Sequence, residues 1–340
     1  ELAKTINKFM NIIENHELED EDGIIFDFKK YIDRLKEYYK NFEFIVNNDS
    51  EDYVYWLSVT PNKNNIKLFA TPFDVSEDLK ENLLSKLNRM VFTSATLAVE
   101  GKFDYFMKSM GFDKNDKQLS KHLISSPFDY MNQMRVFIPS DTIDPNSIDF
   151  IAETEVFIDK LIRKTKGHCF LLFTSYSMLN YLYNKLEKYY NKKDYTLLKQ
   201  GDYSRNEMIE IFRNAKNPIL FGTDSFWEGV DVQGEQLKSV IIVKLPFKVP
   251  DDPVTEAIIE HIRENKGNPF NEFQVPQAVI KFKQGIGRLI RSKSDTGIIT
   301  ILDNRVITKY YGRKFLNSLP KTNIIVDSKE NIIEIIWASS

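Results

Sequence analysis

The chain has 340 residues, a net charge of −3 and 42% hydrophobic residues. That length predicts two domains, or one domain with a large appendage, and the 13% aromatic content argues against disorder. With no global excess of positive charge, any nucleic-acid surface has to be a local patch. Cys169 is the only cysteine, so neither an intrachain disulfide nor a cysteine metal cluster can form from this sequence. This usage fits a reducing compartment, and a cytoplasmic location is expected. No apolar run approaches the ~20 residues of a membrane helix, no secretory signal opens the chain, and no membrane partner is expected. The chain starts ELAKT, without methionine and already helix-like. It is expected to be a piece of a longer protein; the alternative is the processed N-terminus of a complete one.

Residues 1 to about 50 read as helical and irregular, with a charge run, ELEDED, at 17–22 that suits a solvated loop or helix end. DYVYWLSV (52–59) alternates apolar and polar residues as a strand does, and IKLFATPF (66–73) is its candidate hairpin partner. Residues 76–88 read as a helix with Ser76 as N-cap. RMVFTSATL (89–97) reads as a short strand running into a turn of small residues. From about 134 the pattern becomes regular. Strands are expected at 135–140, 168–176, 195–201, 218–223, 239–247, 297–303 and 323–326. Helices are expected at 150–165, 177–190, 204–215, 254–265, 274–291 and 307–319.

Nearly all-apolar strands alternating with helices define an α/β fold, a doubly wound parallel sheet buried on both faces. Right-handed crossovers place helices on each side. Ligands of such sheets meet the loops at the carboxyl ends of the strands. Those ends carry Thr174, Ser175, Gln200, Gly222, Thr223 and Asp303.

QGIGRLIR (284–291) places two glycines inside an apparent helix, although glycine costs a helix interior roughly 1 kcal/mol relative to alanine. At ~100° per residue, with Gln284 set at zero, Arg288 falls near about 40° and Arg291 near about −20°. Val279, Phe282, Ile286, Leu289 and Ile290 fall on the opposite side. The helix thus buries its back and presents Gln284, Arg288 and Arg291 in a row. Gly287, at the edge of that row, lets a ligand or a facing backbone approach closely. Two guanidiniums suit phosphate oxygens; a basic face paired with acidic neighbours is the equally open alternative.

FGTDSFWEGVD (221–231) contains Thr223, Glu228, Gly229 and Asp231 after a strand end. Gly222 and Gly229 leave backbone N–H groups open to phosphate. Thr223 can donate a hydroxyl to phosphate, and Glu228 and Asp231 can accept from sugar hydroxyls or orient an arginine. An ordinary strand-to-loop turn is the plain alternative. Trp227 reads either as a base-stacking residue or as core. The four histidines are scattered without ligand spacing, and Trp56 and Trp337 read as packing residues.

Taken in order, VFTSATL, LLFTSY, FGTDSFWEGVD and VPQAVIKFKQGIGRLIRS resemble motifs III, IV, V and VI of superfamily 2 helicases, most closely the DinG/XPD-like DNA helicases. KLPFKVPDDPV (244–254) resembles a stretch typical of that branch. The likeness covers about residues 66–320. It implies a RecA-like second motor domain in which Gln284, Arg288 and Arg291 face ATP bound between two motor domains. Arg288 and Arg291 would act as arginine fingers, and Glu228, Gly229 and Asp231 would complete the nucleotide side. Thr174, Ser175, Gln200 and Thr223 would touch the single-strand backbone. Ser94, Ala95 and Thr96 would couple nucleotide to strand.

The sequence has no G-x-x-x-x-G-K-[ST] loop and no D-E-A-H box. In the family resembled, both belong to the first motor domain. The expected division is therefore 1–65, part of the helical arch insertion; 66–97, the end of the first motor domain; and 98–340, the second motor domain. The implied partners are single-stranded DNA and the first motor domain of the same polypeptide. The implied cofactor is ATP with Mg, held mainly by that other domain. The iron–sulfur cysteines of some relatives lie upstream, and none is present here. The chain alone is expected not to hydrolyse ATP. The alternatives are a degenerate motor that binds nucleic acid for an attached exonuclease, and an unrelated doubly wound enzyme such as a nucleotide-sugar transferase.

Overall fold

In the computed structural model the described residues are 4–5, 8, 11–12, 24–60, 65–113, 118–190, 194–228 and 236–338. The charge run at 17–22 lies outside them. Among them the chain forms, in order, α1 (Ile24–Asn47), β1 (Tyr53–Thr60), β2 (Asn65–Pro72), α2 (Ser76–Asn82), α3 (Asp104–Ser109), α4 (Tyr130–Gln133), β3 (Met134–Pro139), α5 (Phe150–Thr165) and β4 (Cys169–Leu172). It continues with α6 (Tyr176–Tyr190), β5 (Thr196–Lys199), α7 (Arg205–Asn214), β6 (Pro218–Gly222), α8 (Asp224–Trp227), β7 (Ser239–Ile242) and α9 (Pro253–Glu264). It closes with α10 (Val275–Ile286), β8 (Gly297–Ile301), α11 (Arg305–Thr308), α12 (Gly312–Ser318), β9 (Asn323–Asp327) and α13 (Lys329–Ala338). These elements fall into two compact units, Glu1–Glu77 with Pro250–Lys266, and Asp78–Val249 with Gly267–Ser340.

In the first unit β1 and β2 pair antiparallel, with Tyr53 opposite Pro72 and Thr60 opposite Asn65. The alternating aromatics of this ribbon find partners: Trp56 stacks on Phe69 at 4.8 Å, and Phe44 of α1 meets Tyr53 edge-on at 5.1 Å. α9 starts at Pro253, whose fixed φ suits the first helical turn. The Asp252 carboxylate accepts the Thr255 N–H at 2.9 Å as its N-cap.

The second unit is built on a seven-stranded sheet in the order β5-β6-β4-β7-β8-β3-β9, and each pairing is parallel. β4, β6 and β7 are buried along their whole length, as a parallel sheet covered on both faces requires. One core layer joins Phe170, Leu172, Trp227, Val240, Phe282 and Ile299. The other joins Phe137, Phe157, Leu171, Leu182, Phe221 and Ile241. α7 opens with a capping residue, the Ser204 hydroxyl accepting from the Glu207 N–H. No described helix is long and apolar enough to cross a membrane.

Six expectations fail locally. β4 stops at Leu172 and β7 at Ile242, short of the expected ends at 176 and 247. Residues 89–94 form no strand, because no other strand pairs with them among the described residues; Val91 is 88% exposed. The helix from Ser76 stops at Asn82 and gives way to a short 3-10 turn at Leu84–Lys86. The helix expected over 274–291 ends at Ile286, with Gly287 as its cap. Beyond it, the Asp295 carboxylate accepts the N–H groups of Arg291 and Ser292, each at 2.8 Å, and draws the chain into a turn. The helix expected over 307–319 breaks into α11 and α12, because Gly312 packs directly on the Val306 carbonyl.

Candidate functional site

The carboxyl ends of β4, β5 and β6 lie side by side in the sheet, and beyond them Gln200, Thr223, Tyr176 and Ser225 form one hydrogen-bonded group. Gln200 follows β5. Its Oε1 accepts from the Thr223 N–H at 2.6 Å and the Thr223 hydroxyl at 3.0 Å. Its Nε2 donates to Tyr176 Oη at 2.7 Å and to Ser225 Oγ at 3.0 Å. Ser175 opens α6, its Oγ accepting from the Met178 N–H at 3.4 Å. Thr174 is half-buried beside it. The four residues expected to meet a strand therefore share the ends of three neighbouring strands.

A second group centres on Trp227, the last residue of α8. Its side chain is fully buried, and its indole Nε1 donates to the Phe173 carbonyl at 3.0 Å. Trp227 is therefore core, not a base-stacking residue. Its ring lies against Gly285, where a Cβ would come within 2.7 Å of Cε3. The glycine that permits close approach is thus Gly285 rather than Gly287, and the approaching body is an indole of the same chain. Gly222 has a similar reason, since a Cβ there would meet Phe226 at 2.5 Å; packing, not phosphate, requires it.

The carbonyl of Trp227 accepts from Arg288 Nη2 at 2.9 Å. Arg288 is 8% exposed. It stands against the loop after β6, but buried in the turn past α10 rather than displayed on a helix face. Arg291 is half-buried in the same turn. The five residues expected on the apolar back, Val279, Phe282, Ile286, Leu289 and Ile290, are all buried. Gln284 is half-buried, and its Oε1 has no hydrogen-bond partner among the described residues. Glu228 is exposed, and its carbonyl accepts from Arg205 Nη2. Gly229 and Asp231 lie outside the described residues.

Charge in the arginine turn is set by Asp295. Burial alone would raise its pKa, but bonds from the Ser292 hydroxyl and the Arg291 and Ser292 amides, with the Arg291 charge, hold the carboxyl below its ordinary value. Gln133 braces the same turn, its Nε2 donating to the carbonyls of Ser292 and Asp295, each at 2.8 Å. Asp303 faces no site: it is fully buried, accepts the Leu245 N–H at 2.8 Å and pairs with Arg305. Ser94, Ala95 and Thr96 form an exposed turn in which Ser94 Oγ accepts the Thr96 N–H at 3.2 Å. Lys283 of α10 donates to the carbonyl of Ala98, just beyond that turn, at 3.0 Å. Burial pushes the Lys283 pKa down. Sequence reasoning missed Trp227 as a structural node, and also Asp295, Lys283 and Tyr176. Only the S-x-x-D spacing of Ser292 and Asp295 left a local trace of the turn. Among the described residues no cluster of His, Cys, Asp or Glu could hold a metal ion.

Residues 158–322, which carry the arginine turn, match the family model described as a helicase C-terminal domain. More narrowly, the chain belongs with the DinG/XPD-like superfamily 2 helicases, matching their C-terminal region. It is 38% identical over 272 residues to the ATP-dependent DNA helicase YoaA of Haemophilus influenzae, covering 80% of this chain and 41% of that protein. It is 34% identical over 305 residues to the 3'-5' exonuclease DinG of Bacillus subtilis, covering 88% of this chain and 32% of that one. The chain thus spans well under half the length of these curated relatives. Among solved structures, an XPD helicase superposes with a TM-score of 0.57 at 16% identity, over 86% of this chain and 50% of that one. A second XPD structure, in its apo form, gives 0.53 at 17% identity, over 96% and 69%. At these identities the likeness is one of fold, and the fold is RecA-like.

Proposed function

We propose that this chain is the C-terminal part of an ATP-dependent DinG-like DNA helicase, in which it supplies half of the ATP site and half of the strand track. The observation that carries this reading is the bond from Arg288 to the Trp227 carbonyl, which holds the arginine turn against the loop after β6. Two guanidiniums and the unpartnered Gln284 Oε1 fit a polyanionic nucleotide with hydrogen-bonding groups. ATP, when bound, supplies the phosphoanhydride bond whose hydrolysis drives the cycle.

This chain's own groups bind and position. Arg291, the more exposed of the pair, and Arg288 offer cationic donors where charge gathers in phosphoryl transfer. Such fingers supply roughly 10³–10⁵ in rate in related systems. Glu228, Gly229 and Asp231 complete the nucleotide side, while Thr174 and Ser175 line the track; Thr223 is buried and spends its N–H and hydroxyl on Gln200. The Ser94–Thr96 turn couples the two. The P-loop and the Mg ligands are assigned to a first motor domain of the same polypeptide. Residues 66–97 would be the end of that domain, 1–65 part of an arch-like insertion, and 98–340 the second motor domain. The exposed, unpaired Val91 suits a segment whose sheet partner lies there.

The test compares two proteins. The isolated chain should hydrolyse ATP no faster than background, for want of a P-loop. In the complete polypeptide, Arg291→Ala should lower kcat by roughly 10³-fold or more, with single-strand binding retained. Unchanged hydrolysis would remove the finger role. A second reading, a degenerate motor gripping nucleic acid for an attached nuclease, is favoured by the exonuclease name of the Bacillus subtilis relative. Single-strand binding indifferent to ATP in the complete polypeptide would select it.

A further inference from the structure

Gln200 was expected to touch the strand backbone, but its amide is occupied. Both Nε2 hydrogens are engaged, by Tyr176 Oη and Ser225 Oγ, and Oε1 accepts twice from Thr223. An amide so used has no donor left for a phosphate. The hub leaves to solvent Ser225 and the ring of Tyr176, which is 54% exposed at the first turn of α6 and is the hub's one exposed aromatic group.

An exposed tyrosine ordinarily rotates freely, and fixing it on binding costs conformational entropy. Here the Gln200 bond to Oη limits that freedom before any ligand arrives. The ring stands beyond the end of β4, next to Thr174 and Ser175, and the hub ties it to Thr223 at the end of β6. The hydroxyls of Thr174 and Ser175 suit phosphates; a fixed, half-exposed ring suits the face of a base. Single strands are gripped by this combination of backbone contacts and aromatic stacking.

We propose that Tyr176 is a base-stacking platform for single-stranded nucleic acid crossing the carboxyl ends of β4, β5 and β6, with Gln200 as its positioning residue. The inference rests on the strand-track reading above and adds to it a contact with bases. Because every base has a flat face, the contact is indifferent to sequence. Tyr189 supplies an internal comparison. It is 56% exposed on the same helix, but about 20 Å further along at 1.5 Å per residue.

The experiment measures binding of the chain to two fluorescein-labelled probes by anisotropy at low salt. One is an oligothymidylate about 15 nucleotides long, near the upper site size of a single-strand groove. The other is an oligomer of equal length whose sugars carry no bases. The wild-type chain should prefer the first. Tyr176→Ala should weaken oligothymidylate binding by about 5- to 150-fold, the range for one lost stacking contact, and leave the abasic oligomer unchanged. Tyr176→Phe, which keeps the ring and loses the hydroxyl, should stay within about threefold of wild type. Tyr189→Ala should match wild type on both probes.

Equal weakening on both probes, no weakening on either, or a Phe variant as weak as the Ala variant would each overturn the stacking role. If the wild-type chain binds neither probe, the strand track itself is wrong and the platform falls with it. If it binds both equally, the track stands and only the platform falls.

Discussion

A methyl group added at Gly285 would sit 2.7 Å from Trp227 Cε3 and 3.1 Å from Leu172 Cδ1. Alanine is favoured over glycine in a helix by roughly 1 kcal/mol, yet overpacking a closed core loses about 1–3 kcal/mol. Gly285→Ala should therefore destabilise the protein by about 1–3 kcal/mol in urea unfolding. Gly287→Ala meets only the backbone oxygens of Lys283 at 3.3 Å and Gln284 at 3.7 Å, at a cap with φ −61°, and should change stability by about 1 kcal/mol or less. Equal losses at the two positions would remove the packing explanation. The glycine pair was conspicuous in the sequence, but its cause was not, because the indole it accommodates comes from a distant segment. The same distance hid the role of Trp227. Arg288 and Arg291 were legible as a basic pair beside an apolar back, while the turn that carries them depends on Asp295 and Gln133, which no helical periodicity encodes.

Elements that the sequence marks by their own composition came out well. The apolar runs became β3 to β9, although β4 and β7 end at Leu172 and Ile242, short of 176 and 247, and α5, α7 and α9 lie within a residue or two of their expected bounds. Elements whose limits depend on a partner did not. The segment at 89–94 has strand composition and no strand beside it among the described residues, and α10 stops at Ile286, ahead of the Arg291 and Ser292 amides that the Asp295 carboxylate draws into a turn. α10 also carries a link that its amphipathic pattern does not announce. Lys283 holds the Ala98 carbonyl at 3.0 Å, beside the Ser94–Thr96 turn and one residue from Gln284. If that turn relays strand occupancy to the nucleotide side, Lys283→Met in the complete polypeptide should reduce the stimulation of ATP hydrolysis by single-stranded DNA by about 2- to 30-fold. The unstimulated rate should stay near wild type, and Lys283→Arg should restore most of the stimulation. A proportional fall in both rates would instead mark Lys283 as a general stabiliser of α10.

At the scale of the whole molecule, the parallel sheet predicted from alternation is present, and its interior is closed to solvent. Cys169, the sole cysteine, opens β4 between β6 and β7. Its thiol is fully buried, and burial pushes its pKa far up. Reaction needs a thiolate and access, so labelling by an aromatic disulfide should be negligible in buffer and should rise with urea in step with sheet unfolding. Rapid labelling without denaturant would mean that β4 opens locally. The site was legible only as a set of strand ends; which residues touch one another was not. Trp227 adds a practical consequence. An indole sealed from water emits toward the blue, so once Trp56 and Trp337 are replaced by phenylalanine the remaining emission can report whether the arginine turn loosens, with no dye attached.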